Sequence, residues 1–252
     1  MEKLISLMYH DSYVENKSES GFKLAGADVY KIRPQVFEHQ LKLIDSYLED
    51  NNLPKDTVHF TFDDGGVSFF TVFAPVLEKY GYKGYFFIST QFIGTDGFLS
   101  KEQIVELDRR GHIIGGHSDS HRQRMNDLGY DELLEDWKSC SNKLQEILGH
   151  PITCCSLPCG YISCSMMKAL KFLGFTDIYT SEARDTIKKI KGMNVYGRYG
   201  IKESMSDEFV LSIVASTVVR TKIKIKKALL NIAKTVLGRT YVTIREKIFT
   251  RE

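Results

Sequence analysis

Nowhere in its 252 residues does the chain hold the ~18 uninterrupted apolar residues that a membrane span requires. The opening Met1-Glu2-Lys3 leads into an apolar stretch, Leu4 to Tyr9, too short for a secretory signal and followed by no small-residue cleavage site. A cytoplasmic protein is therefore expected. Cysteines number only five, an odd count, and four of them (Cys154, Cys155, Cys159 and Cys164) lie close together. A disulfide framework is not expected. These four also lack the paired Cys-x-x-Cys units of a structural zinc site, and neighbours on a strand face opposite ways, so core packing is their expected role. The single tryptophan, Trp137, lies in a charged helical pattern, where packing is expected over sugar stacking. Net charge is only +2, which names no partner, and no nucleic-acid partner is expected. At 26% charged and 42% hydrophobic residues, the composition also excludes disorder.

What is present is alternation. Strand-like runs fall at Leu4 to Tyr9, Val58 to Phe62, Gly84 to Ser89, His112 to Gly116, Thr153 to Leu157, Asp177 to Thr180 and Val195 to Ile201. Between them lie helical patterns at Pro34 to Asp50, Val67 to Tyr80, Ser100 to Arg110, Tyr130 to Leu148 and Ser163 to Leu173. Ser100 with Gln103 reads as a capping box, and Gly81, Gly111, Gly149 and Gly174 stand where left-handed helix caps belong. Such alternation predicts an α/β fold with a mostly parallel sheet, open or closed into a barrel.

In such folds chemistry gathers at the carboxyl ends of the strands. His10 and Asp11 follow the first strand, Asp63 and Asp64 the second, and His117 and His121 the fourth. Pro158 and Cys159 follow the fifth, and Arg198 lies within the seventh. Residues 11–33 form a long polar connection, read as a rim loop or lid over that end, or else as a floppy insertion. His117 and His121, four apart, would point the same way on a helical turn. With one carboxylate they give three ligands to a divalent metal and leave a position for water. The remaining carboxylate is then free to take a proton.

Thr61-Phe62-Asp63-Asp64-Gly65, the His117-Ser118-Asp119-Ser120-His121 segment and a later Pro-containing turn together resemble the polysaccharide deacetylases with a NodB-type domain, carbohydrate esterase family 4. The resemblance covers about residues 4–201. It implies a distorted (β/α)7 barrel over residues 1–205 and metal-dependent hydrolysis of an N-acetyl group from a sugar or glycan. Zn²⁺ is the expected ion, with Co, Ni or Mn as alternatives. Asp63 would be the general base, and Asp64, His117 and His121 the metal ligands. Ser156-Leu157-Pro158-Cys159-Gly160 aligns with the family's third motif, so the Cys159 backbone N–H would help hold the oxyanion.

Two departures stand out. Ser156 occupies a position where the family has an arginine that orients the base, and Arg198 is the candidate to supply the guanidinium. If so, Arg198→Ala should cost turnover far more than stability. No histidine follows His150, where the family has a late Leu-x-His as general acid; His10 is the best substitute, with Asp11 weaker and Asp63 in a double role as the alternative. Rival readings are a deformylase or other non-peptide amide hydrolase on a sugar, a non-catalytic metal- or carbohydrate-binding member, and an iron oxygenase using the same ligand set.

Residues 206–252 form a basic extension. From Asp207 onward there are ten Lys/Arg against four Asp/Glu, which leaves the preceding body net negative. Asp207 to Thr217 and Lys222 to Leu237 read as helices, the second with Ile225, Leu229, Ile232 and Val236 on one side. Either it packs on the barrel with a solvated lysine face, or it rests on an anionic membrane surface, which would place the protein at the inner membrane face.

Overall fold

Runs rich in aromatic and β-branched residues form the strands, and 3.6-residue apolar periodicity forms the helices between them. The computed structural model describes residues 4–122, 125–160 and 162–237, with backbone alone at 126 and 231–237. Ile232 and Val236 of the expected apolar side, Lys234 of the basic one, and everything beyond residue 237 therefore lie outside the described side chains. Strands are β1 (Ile5–Tyr9), β2 (Asp11–Ser12), β3 (Lys31–Ile32), β4 (Val58–Phe62), β5 (Gly84–Ile88), β6 (Ile113–Gly116), β7 (Cys154–Ser156), β8 (Asp177–Tyr179), β9 (Lys188–Ile190), β10 (Met193–Tyr196) and β11 (Tyr199–Gly200). Helices are α1 (Ala25–Asp28), α2 (Pro34–Asp50), α3 (Ala74–Lys79), α4 (Lys101–Arg109), α5 (Tyr130–Leu148), α6 (Cys164–Phe172), α7 (Asp207–Ala215) and α8 (Thr217–Leu237).

One sheet runs in the order β11-β1-β4-β5-β6-β7-β8-β10-β9, parallel throughout except for the β9–β10 hairpin. It curls into a half-barrel, in keeping with the expected class. Strand alternation sorts the side chains. Leu7, Phe60, Phe62, Phe86, Ile88, Cys155 and Ile178 join the main core with the helices. Phe87, Cys154 and Tyr179 form a second cluster with Tyr85, Ile113 and Tyr196 on the concave face. Cys154 and Cys155 thus face opposite ways, and Trp137 is fully buried in the core.

The expected last strand, Val195 to Ile201, is broken in two. β10 pairs with β8 near one end of the sheet, whereas β11 pairs with β1 at the other. Only Gly197 and Arg198 separate them, and three chain steps span at most about 10 Å, so the curl must bring the two ends almost together. Gly197 is required there: a Cβ would lie 2.5 Å from the Glu182 carbonyl oxygen and 2.6 Å from Arg184 Cβ. Arg198 therefore sits in the seam, not within a strand. Val67 to Tyr80 is also divided, a π-helical turn at Phe69–Phe73 running into α3. Pro75 has no N–H for the Thr71 carbonyl, and the turn before it widens. The reciprocal capping box of Ser100 and Gln103 is present, and all four cap glycines have positive φ.

Residues 11–33 are organised by buried polar groups, not left as a floppy insertion. β2 pairs with β3, and the buried Lys31 donates to the carbonyls of Lys17 and Phe22. Asp11, also buried, accepts from Ser20 Oγ at 2.5 Å and Ser68 Oγ at 2.9 Å. Burial pushes its pKa from 3.8 up to about 7, against the pull of the Ser20 hydroxyl. The folded chain then holds a proton that the unfolded chain has released, so stability declines from about pH 4 to about pH 7 and levels off above. Asp11→Asn is expected to remove that decline and to stabilise the protein at pH 8, by at most ~4 kcal/mol. Melting curves across pH check this; identical pH slopes for variant and wild type would contradict it.

Candidate active site

The concave face carries the site because strand parity directs it there. His59, Thr61 and Asp63 share one face of β4 and its extension. A regular strand would point Asp64 the other way. Its backbone instead takes φ 89°, followed by Gly65 at 95°, which swings the second carboxylate back beside the first. Six non-glycine residues have positive φ among those described, and Asp64, Ser118, His121 and Cys159 are four of them. Backbone strain is thus concentrated where three loops meet.

The two histidines converge, though not on a helical turn. His117 continues β6, and the chain then reverses through Ser118 at φ 64° and His121 at φ 50°. Polar tethers replace helical hydrogen bonds: the His121 N–H donates to Ser118 Oγ at 3.0 Å. Asp136 of α5 accepts the N–H groups of Asp119 and Ser120 at 3.1 Å each. His117 Nδ1 lies 2.8 Å from the Ser156 carbonyl oxygen. That contact fixes the proton on Nδ1 and leaves the Nε2 lone pair facing inward.

Asp64 Oδ1 lies 3.1 Å from His121 Nε2 and 3.4 Å from His117 Nε2. Donor atoms of the three residues all fall within 4.8 Å of one another, the one such grouping among the described residues. The four clustered cysteines form no comparable set: Cys154 and Cys155 are buried as core packing requires, but Cys159 and Cys164 are exposed, against that expectation, and all five are free thiols. Burial opposes charge on Asp64, yet both histidines hold its carboxyl well below the usual range. The donor set, two imidazoles and an ionised carboxylate, fits a divalent cation.

Asp63 is gripped separately. Arg198 donates to both of its oxygens at 2.7 Å, and the Ser156 hydroxyl donates to Oδ2 at 3.0 Å. Arg198 also donates to Ser156 Oγ at 2.6 Å, the Thr180 carbonyl at 3.0 Å and Thr61 Oγ1 at 3.2 Å. Burial pushes the Asp63 carboxyl up, but the Arg198 guanidinium outweighs it and keeps the group ionised. His10 stands at the flank, its ring 4.6 Å from that of Tyr30 and its buried Nδ1 without a hydrogen-bond partner. Burial holds its pKa below the ordinary value, so the imidazole is neutral. Cys159 is exposed at φ 57° on the Pro158–Gly160 turn, where its carbonyl accepts from Ser181 Oγ at 3.1 Å.

Sequence reasoning missed Ser156 as a donor to Asp63 and Asp136 as the clamp on the histidine loop. Neither carries a signal: one looked like a lost arginine, the other like any charge on a helix. The aromatic wall behind His121 was missed too, with Phe22 4.8 Å from that ring and Phe92 and Phe98 against Phe22.

Residues 50–178 match the family described as polysaccharide deacetylase, just over half of the chain. The chain belongs to the polysaccharide deacetylase family. Its members are hydrolases of carbon–nitrogen bonds in N-acetylated sugars, and metal-dependent. Comparison with curated proteins gives no match. Among solved structures, the Streptococcus pyogenes deacetylase PplD in complex with acetate is similar at TM-score 0.67 and 24% identity, covering 84% of this chain and 98% of that one. A Bacillus cereus polysaccharide deacetylase gives TM-score 0.68 and 21% identity, with 84% and 69% covered. A de-N-acetylase from Aggregatibacter actinomycetemcomitans gives 0.62 and 18%, with 81% and 97% covered. These likenesses establish the deacetylase fold.

Asp136→Ala should release the histidine loop while leaving all three donor residues intact. Zinc affinity, measured by chelator competition, is expected to fall about 10- to 100-fold. Unchanged affinity would show that the clamp does not position the loop.

Proposed function

We propose that this chain is a metal-dependent N-deacetylase of an amino sugar in a glycan, glycolipid or their precursor. The observation that carries the reading is a three-donor cation site sharing its rim with a fourth, arginine-clamped carboxylate: Asp63 Oδ2 lies 4.0 Å from His117 Nε2. A divalent cation held by Asp64, His117 and His121, zinc first and cobalt, nickel or manganese as alternatives, would polarise the amide carbonyl and lower the pKa of a neighbouring water from near 16 towards ~7.

The chain's own groups supply the rest. Asp63, kept ionised and aimed by Arg198 and Ser156, is the base that takes the proton from the attacking water. The Cys159 backbone N–H is the donor to the developing oxyanion. The leaving amine needs a proton, and two residues are candidates to deliver one. Asp63 holds the proton it has just accepted, and His10 lies at the same rim with a neutral ring that must first acquire one. The first needs no additional protonation and is the simpler route. A structural cation site alone would have no use for Asp63, which disfavours the non-catalytic reading. An N-formyl sugar would fit the same chemistry; acetate bound in the Streptococcus pyogenes relative favours acetyl.

A membrane-surface partner is a second strand of this reading. No described helix is long and apolar enough to cross a membrane. On α8, however, Val218, Ile225 and Leu229 are exposed at 63%, 53% and 61% and recur on one face beside Lys222 and Lys226. Such a face suits an anionic lipid surface and, with it, a lipid-linked substrate.

Acetate release from N-acetylhexosamine glycans is expected to vanish on chelation and return with zinc. Asp63→Asn should lose at least about 100-fold in kcat while still binding one zinc; formate without acetate, or full activity in Asp63→Asn, would refute the assignment. Anionic liposomes at low salt should retain the protein, and Ile225→Glu/Leu229→Glu should release it. Equal failure to bind by both proteins would dismiss the membrane contact.

A further inference from the structure

The C-terminal helix reaches the site itself. Lys227 of α8 donates from Nζ to the Ser181 carbonyl at 2.9 Å, and Ser181 Oγ in turn donates to the Cys159 carbonyl at 3.1 Å. One residue thus separates this ammonium from the Pro158–Gly160 turn. Lys202, exposed just after β11 and near enough for its charge to act on Lys227, has Nζ 5.4 Å from the centre of the Tyr30 ring, and that ring lies 4.6 Å from His10. Two ammonium groups therefore flank the mouth, one through the Cys159 turn and one through the His10 wall.

Neither has an acidic partner among the described residues. Neighbouring carboxylates are committed elsewhere. Glu203 pairs with Lys17 and accepts from Tyr13 at 2.7 Å. Glu182 pairs with Lys188 at 3.1 Å and Arg184 at 3.3 Å, and Asp185 pairs with Arg220 at 3.0 Å. Asp63 is already matched by Arg198, and Asp64 would be matched by a divalent cation. Lys227 is half-buried, and its pKa is lowered by that burial and then by the charges of Arg198 and Lys202. An ammonium held in such a place without a counter-ion is unfavourable until an anion arrives.

We propose that Lys202 and Lys227 form a subsite for a phosphoryl group carried by the substrate, beside the sugar whose N-acetyl group enters the Asp64/His117/His121 pocket. This rests on the deacetylase reading above and narrows its substrate to a phosphate-bearing amino sugar. Two uncompensated ammonium groups match the double charge of a phosphate monoester or a diphosphate better than a single carboxylate, and lysine binds phosphate as a point charge.

The test uses the zinc-loaded full chain and three probes: methyl N-acetylglucosaminide, N-acetylglucosamine 1-phosphate and the uridine diphosphate sugar. Calorimetry is expected to show at least tenfold tighter binding of a phosphorylated probe than of the neutral one, weakening with salt. The tighter of monoester and diphosphate identifies the source of the phosphoryl group. Lys202→Ala/Lys227→Ala should bind all three alike while melting as the wild type does, and Lys227→Arg should keep the preference. Equal binding of all probes by the wild type, or a preference that survives in the double variant, would overturn the subsite. Acetate release is read separately. Release without phosphate preference defeats the subsite alone; phosphate preference without release from any probe defeats the deacetylase reading alone.

Discussion

Two charges taken out of water and set against each other at a seam in the sheet hold this structure to its purpose. Arg198 and Asp63 are 0% and 3% exposed, where an isolated charge of either sign would be untenable. The guanidinium has five N–H groups, and each has a partner: two go to Asp63, and the others to Ser156, Thr61 and the Thr180 carbonyl. Those partners come from β4 and its extension, β7 and the turn after β8, so a single side chain ties β4 to the neighbouring pair β7 and β8, with which the sheet leaves it unpaired. Only such full satisfaction lets a buried ion pair persist.

This arrangement revises what Arg198 means. As an arginine merely replacing one lost at Ser156, it could be removed with a loss of turnover and little else. As the bond across the seam it cannot. Truncating one partner of a buried pair leaves the other uncompensated and costs about 3–5 kcal/mol of stability. Turnover and stability are therefore expected to fall together in Arg198→Ala, and activity alone would not separate orientation of Asp63 from integrity of the half-barrel. Ser156 offers the cleaner separation, because its hydroxyl touches both charges but bears none.

Much of the fold was legible because it is written in periodicity. Val58–Phe62, Pro34–Asp50 and Tyr130–Leu148 fall where the pattern put them, since each buries an unbroken apolar face. Breaks were not legible. Val195 to Ile201 reads as one strand because its apolar residues continue through Gly197-Arg198, and only the closing of the curl reveals that the chain must change edges there. Residues 11–33 looked structureless because Asp11, Ser20 and Lys31 organise them, polar residues with no period to read. Within the site, the donor residues were legible from their chemistry, while their delivery was not. Spacing suggested a helical turn for His117 and His121, yet two left-handed residues, Ser118 and His121, and an aspartate on α5 do that work.

The basic extension shows how the body and the mouth become one system. Arg220 donates to the carbonyls of Ile213 and Val214 at the end of α7 and pairs with Asp185, while Val219 and Ile223 pack on the main core. The start of α8 is thereby fixed, and its rise of 1.5 Å per residue carries Lys227 roughly 10 Å beyond Arg220 to the Ser181 carbonyl. A composition change after residue 205 separates the two parts by charge but not by packing. The acidic body supplies the Asp63 and Asp64 carboxylates; the basic helix, anchored by one arginine, brings opposite charge to the rim. A substrate that is neutral at its amide and anionic nearby would meet complementary fields at both ends, with Lys202 of the body standing beside Lys227 of the helix at the anionic one.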